Sequence, residues 1–236
     1  MTNREAISFF KTFAVDSTGF VPDDYGFSSI AILQLLHNNR ARVIKEAIDK
    51  RMTLSHQTIQ TLACISLEEA DMIEDLKQER SDCVWLRSIE PVPTSITTFS
   101  VTSTIGSTNF DYVEWDKLRH KMNSRSSSIR NGKYWTYRDT GDGVRLYILN
   151  TEWLESVAQN AVYENPILAD QFSKCGVTDQ HKMCNPLDLD FHTQEDLIER
   201  IMTKTIAEYH QRLRLMGADI ISDDTDNTRG VGNAKA

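Results

Sequence analysis

The sequence has no long hydrophobic run and few cysteines. Its longest apolar runs are a few residues, far short of the roughly 20 that a membrane-spanning helix needs. The opening MTNREAISFF carries Arg4 and Glu5 and lacks a continuous apolar stretch, so no signal peptide is expected. Four cysteines in 236 residues are too few for a disulfide scaffold and favour a reducing compartment. We therefore predict a soluble protein without a membrane partner.

An excess of positive charge is also absent. The chain has 34 acidic and 26 basic residues, which gives a net charge of −8, so the surface as a whole should repel a nucleic-acid backbone. Hydrophobic residues make up 40% of the chain, which is enough to build a core in one elaborate domain or two small ones.

The common catalytic motifs are missing as well. The sequence has no glycine-rich phosphate loop, nucleophile elbow or His-Glu-x-x-His motif. We therefore predict no catalytic residue, no cofactor and no bound metal, and expect a protein that is not an enzyme.

One catalytic triplet does occur, the Asp-Thr-Gly of KYWTYRDTGDGVRLYILN. In a retroviral-type aspartic protease this triplet holds a buried carboxylate beside a second copy, and the pair shares one proton. Here Arg138 and Asp142 flank the triplet, and alternating β-patterns lie on both sides. Gly141 and Gly143 supply the positive φ that hairpin loops need. The pattern favours a turn over a catalyst at Asp139.

A second candidate site is a cluster of cysteine and histidine residues in CGVTDQHKMC. Zinc needs four such ligands in a tetrahedral arrangement, and the spacings here lack the paired C-x2-C of structural zinc sites. Buried thiols or ordinary loop residues are therefore favoured over a metal site. The residues that zinc binding would draw on are Cys175, His181 and Cys184, completed by His192 or by Cys64 and Cys83.

The segment HKMNSRSSSIRNGK is the one local concentration of positive charge without an acidic residue. Its serines and glycine are typical of a flexible, solvated loop. The alternative is a contact with phosphate or with an acidic neighbouring subunit. The candidate contact residues are Lys121, Arg125, Arg130 and Lys133.

Helical patterns lie at both ends of the chain. Thr2 and Glu5 have the spacing of a capping box, and apolar periodicity predicts a second helix at about 28–51. Near the C-terminus, Thr193 is a candidate N-cap and Gly217 fits the position just beyond a helix end. Two helical regions therefore enclose the middle of the chain.

The middle of the chain has short segments rich in β-branched and aromatic residues, which predict strands. FDYVEWDKLRHK is predicted to form a short helix among them, whereas WLESVAQNAVYENP fits a helix or a strand. The most economical fold class is α+β: a helical body of N- and C-terminal helices with an inserted β-rich lobe. The predicted divisions are 1–53 and 166–218 for the helical body, 54–165 for the lobe, and 219–236 for a polar tail.

The tail has few bulky apolar residues after Ile221. Such a segment cannot offset the conformational entropy that ordering costs, about 1–2 kcal/mol per residue for the backbone. We therefore predict that residues 219–236 are disordered in the free subunit and become fixed only against a neighbour.

Three stretches, MTNREAISFFK, VYENPILADQFSKCG and MCNPLDLDF, resemble the ring or head–tail connector proteins of crAss-like tailed phages. These proteins are similar in architecture to the tail adaptors of short-tailed phages. These three stretches contain no catalytic motif. Asn165-Pro166 and Asn185-Pro186 are expected to set chain turns, and Leu187 and Phe191 to hold a loop against the last helix.

The resemblance implies a virion protein, assembled in the host cytoplasm, that forms a homo-oligomeric ring of twelve copies. Such a ring docks to the portal protein and to other tail or ring proteins and prolongs the channel through which genomic DNA passes. Two alternatives stay open: a virion-associated hydrolase using Asp139 or the Cys/His cluster, and a module that binds a cargo or host protein. The binding module would expose aromatic residues, with Trp85, Trp135 and Tyr137 as candidates.

Overall fold

The computed structural model describes residues 1–18, 28–70, 85–151, 153–172 and 185–228. This part of the chain contains six α-helices: α1 (Asn3–Thr18), α2 (Ser29–Asp49), α3 (Trp115–Met122), α4 (Ser127–Arg130), α5 (Pro166–Gln171) and α6 (Glu195–Thr228). The same part of the chain contains seven strands: β1 (Gln60–Glu69), β2 (Trp85–Ser88), β3 (Ser95–Ser103), β4 (Asn109–Tyr112), β5 (Tyr134–Asp139), β6 (Val144–Leu149) and β7 (Ser156–Tyr163). Short 3₁₀ turns occupy His56–Thr58 and Pro186–Asp188.

The seven strands close into a barrel in the order β1-β2-β6-β5-β4-β3-β7. Neighbouring strands are antiparallel except β4 and β5, which are parallel and are joined by the crossover that carries α3 and α4. Strand β7 closes the barrel because it pairs with β1 on one side and β3 on the other. The predicted fold class, a helical body with an inserted β-rich lobe, is therefore wrong: the strands form a closed barrel.

The reason for this error lies in the pairing of β7. Its segment was the one that fitted a helix as well as a strand, because Ala158 and Ala161 have high helix propensity. In the structure Val157, Ala161 and Tyr163 face the barrel interior and are fully buried. Burial on the pleated surface outweighs helix propensity here. The predicted domain divisions at residues 53, 165 and 218 stay a prediction.

The barrel has two different ends. Strands β1, β3 and β6 run toward one end, which we call the distal end, and the other four strands run away from it. Helices α1, α2, α5 and α6 pack near the opposite, proximal end, where β7 finishes and β1 begins. Gln60 at the start of β1 donates from Nε2 to the Pro166 carbonyl at 3.0 Å, which fixes α5 to this end.

The helices α1, α2 and α6 build a second core beside the barrel. Phe10, Leu36, Ile44, Ile201 and Tyr209 are among its fully buried members. Burial of such side chains is worth roughly 1.5–3 kcal/mol each. Val162 of β7 also belongs to this core, so the outer face of the closing strand is the surface on which the helices pack.

The start of α1 follows the predicted capping box. The Glu5 backbone N–H donates to Thr2 Oγ1 at 3.2 Å, and the Thr2 N–H donates to Glu5 Oε2 at 2.9 Å. This reciprocal pair satisfies two N–H groups that the first helical turn leaves unpaired.

The helix α6 differs from its predicted limits at both ends. It begins at Glu195, and Thr193 Oγ1 is buried without a hydrogen-bond partner among the described residues instead of capping it. The helix also continues through Gly217 to Thr228, because a glycine inside a long helix costs only about 1 kcal/mol. Residues 219–228, for which disorder in the free subunit is predicted, are therefore part of this helix, and residues 229–236 lie outside the described residues.

Candidate functional site

The Asp-Thr-Gly triplet forms the predicted turn between β5 and β6 at the proximal end. Gly141 has φ +85° and Gly143 has φ +142°, and the Gly141 N–H donates to Asp139 Oδ1 at 2.9 Å. Asp139 is exposed to water. The nearby Asp142 carboxylate accepts a hydrogen bond from Arg145 at 2.6 Å. This bond and a second one from the Thr140 hydroxyl hold the pKa of Asp142 well below its usual range. The hairpin prediction is confirmed.

This geometry gives a prediction for Asp139. Asp139→Asn retains the side-chain oxygen that accepts from Gly141, so the free energy of unfolding should stay within about 0.5 kcal/mol of the wild-type value. Asp139→Ala removes that acceptor and should cost about 1 kcal/mol. Chemical denaturation of both variants is the measurement. An equal loss in both would show that the carboxylate charge, rather than the hydrogen bond, stabilises the turn.

The cluster Cys175, His181 and Cys184 lies outside the described residues, as does Cys83. Cys64 is disulfide-bonded and is therefore not free to ligate zinc as a thiolate. The ring of His192 is 3.2 Å from Asp170 Oδ2 through its Nε2. Among the described residues, no group of three or more metal-ligating side chains comes together.

The four cations Lys121, Arg125, Arg130 and Lys133 lie on the crossover between β4 and β5, close to the distal end. We call them the basic surface. Lys121, Arg125 and Lys133 are exposed and Arg130 is half-buried. None of the four forms an ion pair with a carboxylate in the part of the chain that the structure describes.

The backbone under the basic surface is held at several points. Tyr134 donates its hydroxyl to the Ile129 carbonyl at 2.6 Å. Asn150, which has φ +61°, donates from Nδ2 to the carbonyls of Arg130 and Gly132 at 3.2 and 2.6 Å. A Cβ at Gly132 would lie 2.4 Å from the Tyr134 hydroxyl oxygen, so this close approach requires glycine. These bonds hold the segment against β5 and β6, in contrast to a freely solvated loop.

The aromatic residues proposed as exposed binding anchors are placed differently. Trp135 is buried in the barrel core, and Tyr137 packs against it with its hydroxyl 2.5 Å from Gln159 Nε2. Trp85 is half-buried against α3, where its ring lies 6.1 Å from that of Trp115. Among the described residues, the exposed aromatic residues are instead Trp153, Tyr112, Phe99 and Phe9. The sequence analysis did not identify Trp153. Its position between the end of β6 and the start of β7 is the feature that could have indicated exposure.

A buried polar junction connects the helices to the barrel. Arg40 of α2 is completely buried and donates to the His192 carbonyl at 2.6 Å and to the Tyr163 carbonyl at 2.9 Å. Burial lowers the pKa of Arg40 to about 9, against the opposing effect of Asp170. The guanidinium thus stays charged at neutral pH and joins α2, the end of β7 and the chain before α6.

His37 lies one turn before Arg40 on α2 and is 6% exposed. Its ring lies 5.3 Å from that of Phe191, and neither ring nitrogen has a hydrogen-bond partner among the described residues. Burial, followed by the charges of Arg40 and His192, lowers the pKa of His37 to about 3. His37 is therefore neutral in the folded protein.

The segments that carry the resemblance have structural roles. Asn165 Oδ1 accepts from the Ile167 N–H at 3.1 Å and caps α5, and Asn185 caps the turn Pro186–Asp188 in the same way. The Asn3 N–H donates to the Leu189 carbonyl at 2.8 Å, so the first and third of these stretches contact each other. Both expected Asn-Pro turns are confirmed.

A family model described as phage tail ring protein 2 matches residues 18–228. Because this match covers most of the chain, the protein belongs to that family of crAss-like phage tail ring proteins, which confirms the resemblance.

The family indicates a structural component of the phage virion. It also indicates a protein that oligomerises and contacts other tail components. No curated protein matches the chain. No helix within the described residues has the length and hydrophobicity required to cross a membrane.

Proposed function

We propose that this protein forms a closed ring of twelve identical copies that docks to the portal and prolongs the DNA channel into the tail. The observation that carries the proposal is the family match to a tail ring protein over residues 18–228. In this assembly the protein is a structural spacer and has no catalytic role. It assembles in the host cytoplasm as part of the virion.

The distribution of exposed apolar side chains supports a ring. A head-to-tail ring needs two different surfaces on each subunit, one that meets each neighbour. At the distal end of the barrel, Ile105 is 89% exposed and Trp153 is 67% exposed. On the helical side, Ile30 at the start of α2 and Leu168 of α5 are 64% and 53% exposed. Two separate surfaces therefore offer apolar area for burial.

The net charge of −8 is compatible with a channel for DNA. Each phosphate that a protein neutralises with lysine or arginine adds to binding strength, and tight binding would retard the passage of DNA. An acidic ring would repel the phosphates and let the duplex slide.

Imaging of the assembled phage particle tests the proposed function. We expect density for this chain in a twelve-fold symmetric ring between the portal and the tail. Fitting the barrel and helices into that density would locate each subunit. Density at a site without rotational symmetry, or away from the connector, would contradict the proposal. A ring with another copy number would revise only the stoichiometry.

A further inference from the structure

The distal end of the barrel is closed by the connection between β6 and β7. These two strands are not neighbours in the barrel, since β2 and β1 separate them on one side and β5, β4 and β3 on the other. Their connection must therefore cross the distal end. Leu154 in this connection is buried in the barrel core, whereas the adjacent Trp153 is 67% exposed. The connection thus closes the barrel with one side chain and presents the other to solvent.

A second apolar side chain lies at the same end. The hairpin between β3 and β4 turns at Gly106, which has φ +72°, and holds Ile105 almost fully in water. Thr104 beside it is hydrogen-bonded to Ser156 at the start of β7, with 2.7 Å between the hydroxyl oxygens. The hairpin tip is therefore attached to the strand that follows Trp153.

The basic surface adjoins Trp153 through Lys133. Lys133 Nζ lies 6.0 Å from the centre of the Trp153 ring, and Lys121 Nζ lies 5.9 Å from the centre of the Tyr134 ring. Contacts of this kind orient the cations but leave their hydrogen-bonding capacity free. The distal end thus combines exposed apolar area with cations that form no ion pair among the described residues, on a backbone held by Asn150 and Tyr134.

We propose that the distal end of the barrel is a docking surface for the carboxylates of a second copy of this chain. The inference rests on the proposed ring, in which each subunit meets an identical neighbour. Ile105 and Trp153 supply the apolar contact, and Lys121, Arg125, Arg130 and Lys133 supply positive charge at the same end of the barrel.

Charge complementarity favours a second copy as the occupant. The chain has eight more acidic than basic residues, so the surfaces that a neighbour can present carry more carboxylates than cations in total. The four cations of the basic surface lie in a sequence segment that contains no acidic residue. Like charges across an interface are costly, whereas opposite charges steer the encounter and fix its orientation.

The exposed apolar side chains argue against duplex DNA as the occupant. A phosphate backbone is recognised by cations and hydrogen-bond donors, and it offers no apolar surface that would cover Ile105. Tryptophan is enriched among the residues that dominate protein–protein interfaces. Exposed apolar side chains and cations at one end of the barrel are therefore better matched to an acidic protein surface.

Cross-linking of the full-length protein tests the inference. Equal amounts of ¹⁴N- and ¹⁵N-labelled protein are mixed and treated with a carbodiimide, which couples a lysine amine directly to a carboxylate. We expect Lys121 and Lys133 to give cross-linked peptides that contain one light and one heavy partner. Such mixed peptides arise only between copies. Addition of salt before the reagent should reduce them, because exposed ion pairs are screened.

Matched variants separate this surface from general charge effects. Lys121→Glu with Lys133→Glu should weaken self-association by about tenfold, measured by sedimentation. Lys50→Glu reverses an exposed charge outside the basic surface and should leave self-association unchanged. Trp153→Ala should also weaken association by about tenfold or more, whereas Phe99→Ala, another exposed aromatic residue, should not. Unchanged thermal unfolding confirms that the variants are folded.

Several outcomes would overturn the inference. One is that the protein stays monomeric in sedimentation. Another is that the mixed cross-linked peptides contain neither Lys121 nor Lys133. Salt-dependent binding of a short DNA duplex that the double lysine variant abolishes, without mixed cross-links, would assign the surface to nucleic acid instead. An imaged ring whose subunit contacts exclude the distal end would overturn this inference and leave the proposed function standing. A particle without such a ring would remove the basis of both.

Discussion

Arg40→Ala is expected to lower the free energy of unfolding by about 3–5 kcal/mol. The substitution removes the donors that satisfy the carbonyls of His192 and Tyr163, and each buried carbonyl left unpaired costs about 1–3 kcal/mol. It also leaves a cavity at one of the largest fully buried side chains in the described protein. Relief of the cost of burying a cation offsets part of this loss.

Chemical denaturation of two further variants shows where the effect comes from. Arg40→Met keeps much of the side-chain volume but supplies no donor. It should therefore recover only the part of the lost unfolding free energy that the cavity in Arg40→Ala causes. Arg42→Ala is the matched control two residues away, since Arg42 is exposed and its ion pair with Glu208 at 3.1 Å is worth at most about 1 kcal/mol. Equal losses for Arg40→Ala and Arg42→Ala would contradict a special role for the junction.

His37→Leu is expected to make the stability of the protein less sensitive to acid by about 2 kcal/mol between about pH 7 and about pH 5. The pKa of His37 falls from the usual 6.5 to about 3 on folding, so the unfolded chain binds a proton that the folded protein does not. Stability from this group is present above about pH 6.5 and is lost as pH falls toward 3, by about 1.4 kcal/mol per pH unit.

Leucine suits this test because neither ring nitrogen of His37 has a partner in the described structure, so its loss leaves no group unpaired. The charged or ionisable groups that act on His37 are Arg40, His192 and Asp170, and all three remain in the variant. Urea unfolding at several pH values gives the difference from wild type. His120→Leu, in which an exposed ring is lost, should keep the wild-type pH dependence. A pH profile of His37→Leu that runs parallel to that of wild type would show that folding does not lower the pKa of His37.

Much of the local structure could be predicted because its causes lie within a few residues. The capping box of Thr2 and Glu5, the helix after Ser28 and the hairpin at Asp139 all depend on side chains that contact their own backbone nearby. Gly141 and Gly143 are needed wherever the hairpin is placed, because the positive φ belongs to the turn itself.

The candidate surface was predicted in part. The four cations could be read from the sequence because they are consecutive along one segment without an acidic residue. Trp153 and Ile105 could not be assigned to the same surface, since their positions depend on which strands are neighbours. Trp135 and Tyr137 were candidates for exposure, but alternation along β5 does not tell which face is the barrel interior.

The sequence by itself determined that this is an acidic chain with helices at both ends and β-segments between them, and three short stretches placed it with the phage ring proteins. Only the tertiary structure decided that the strands close on themselves and that Arg40 is the buried connection between helices and barrel. Closure depends on β7 pairing with β1 about a hundred residues earlier. Such a contact has no local signature, because each strand edge can pair with any compatible edge and only the packed core selects one.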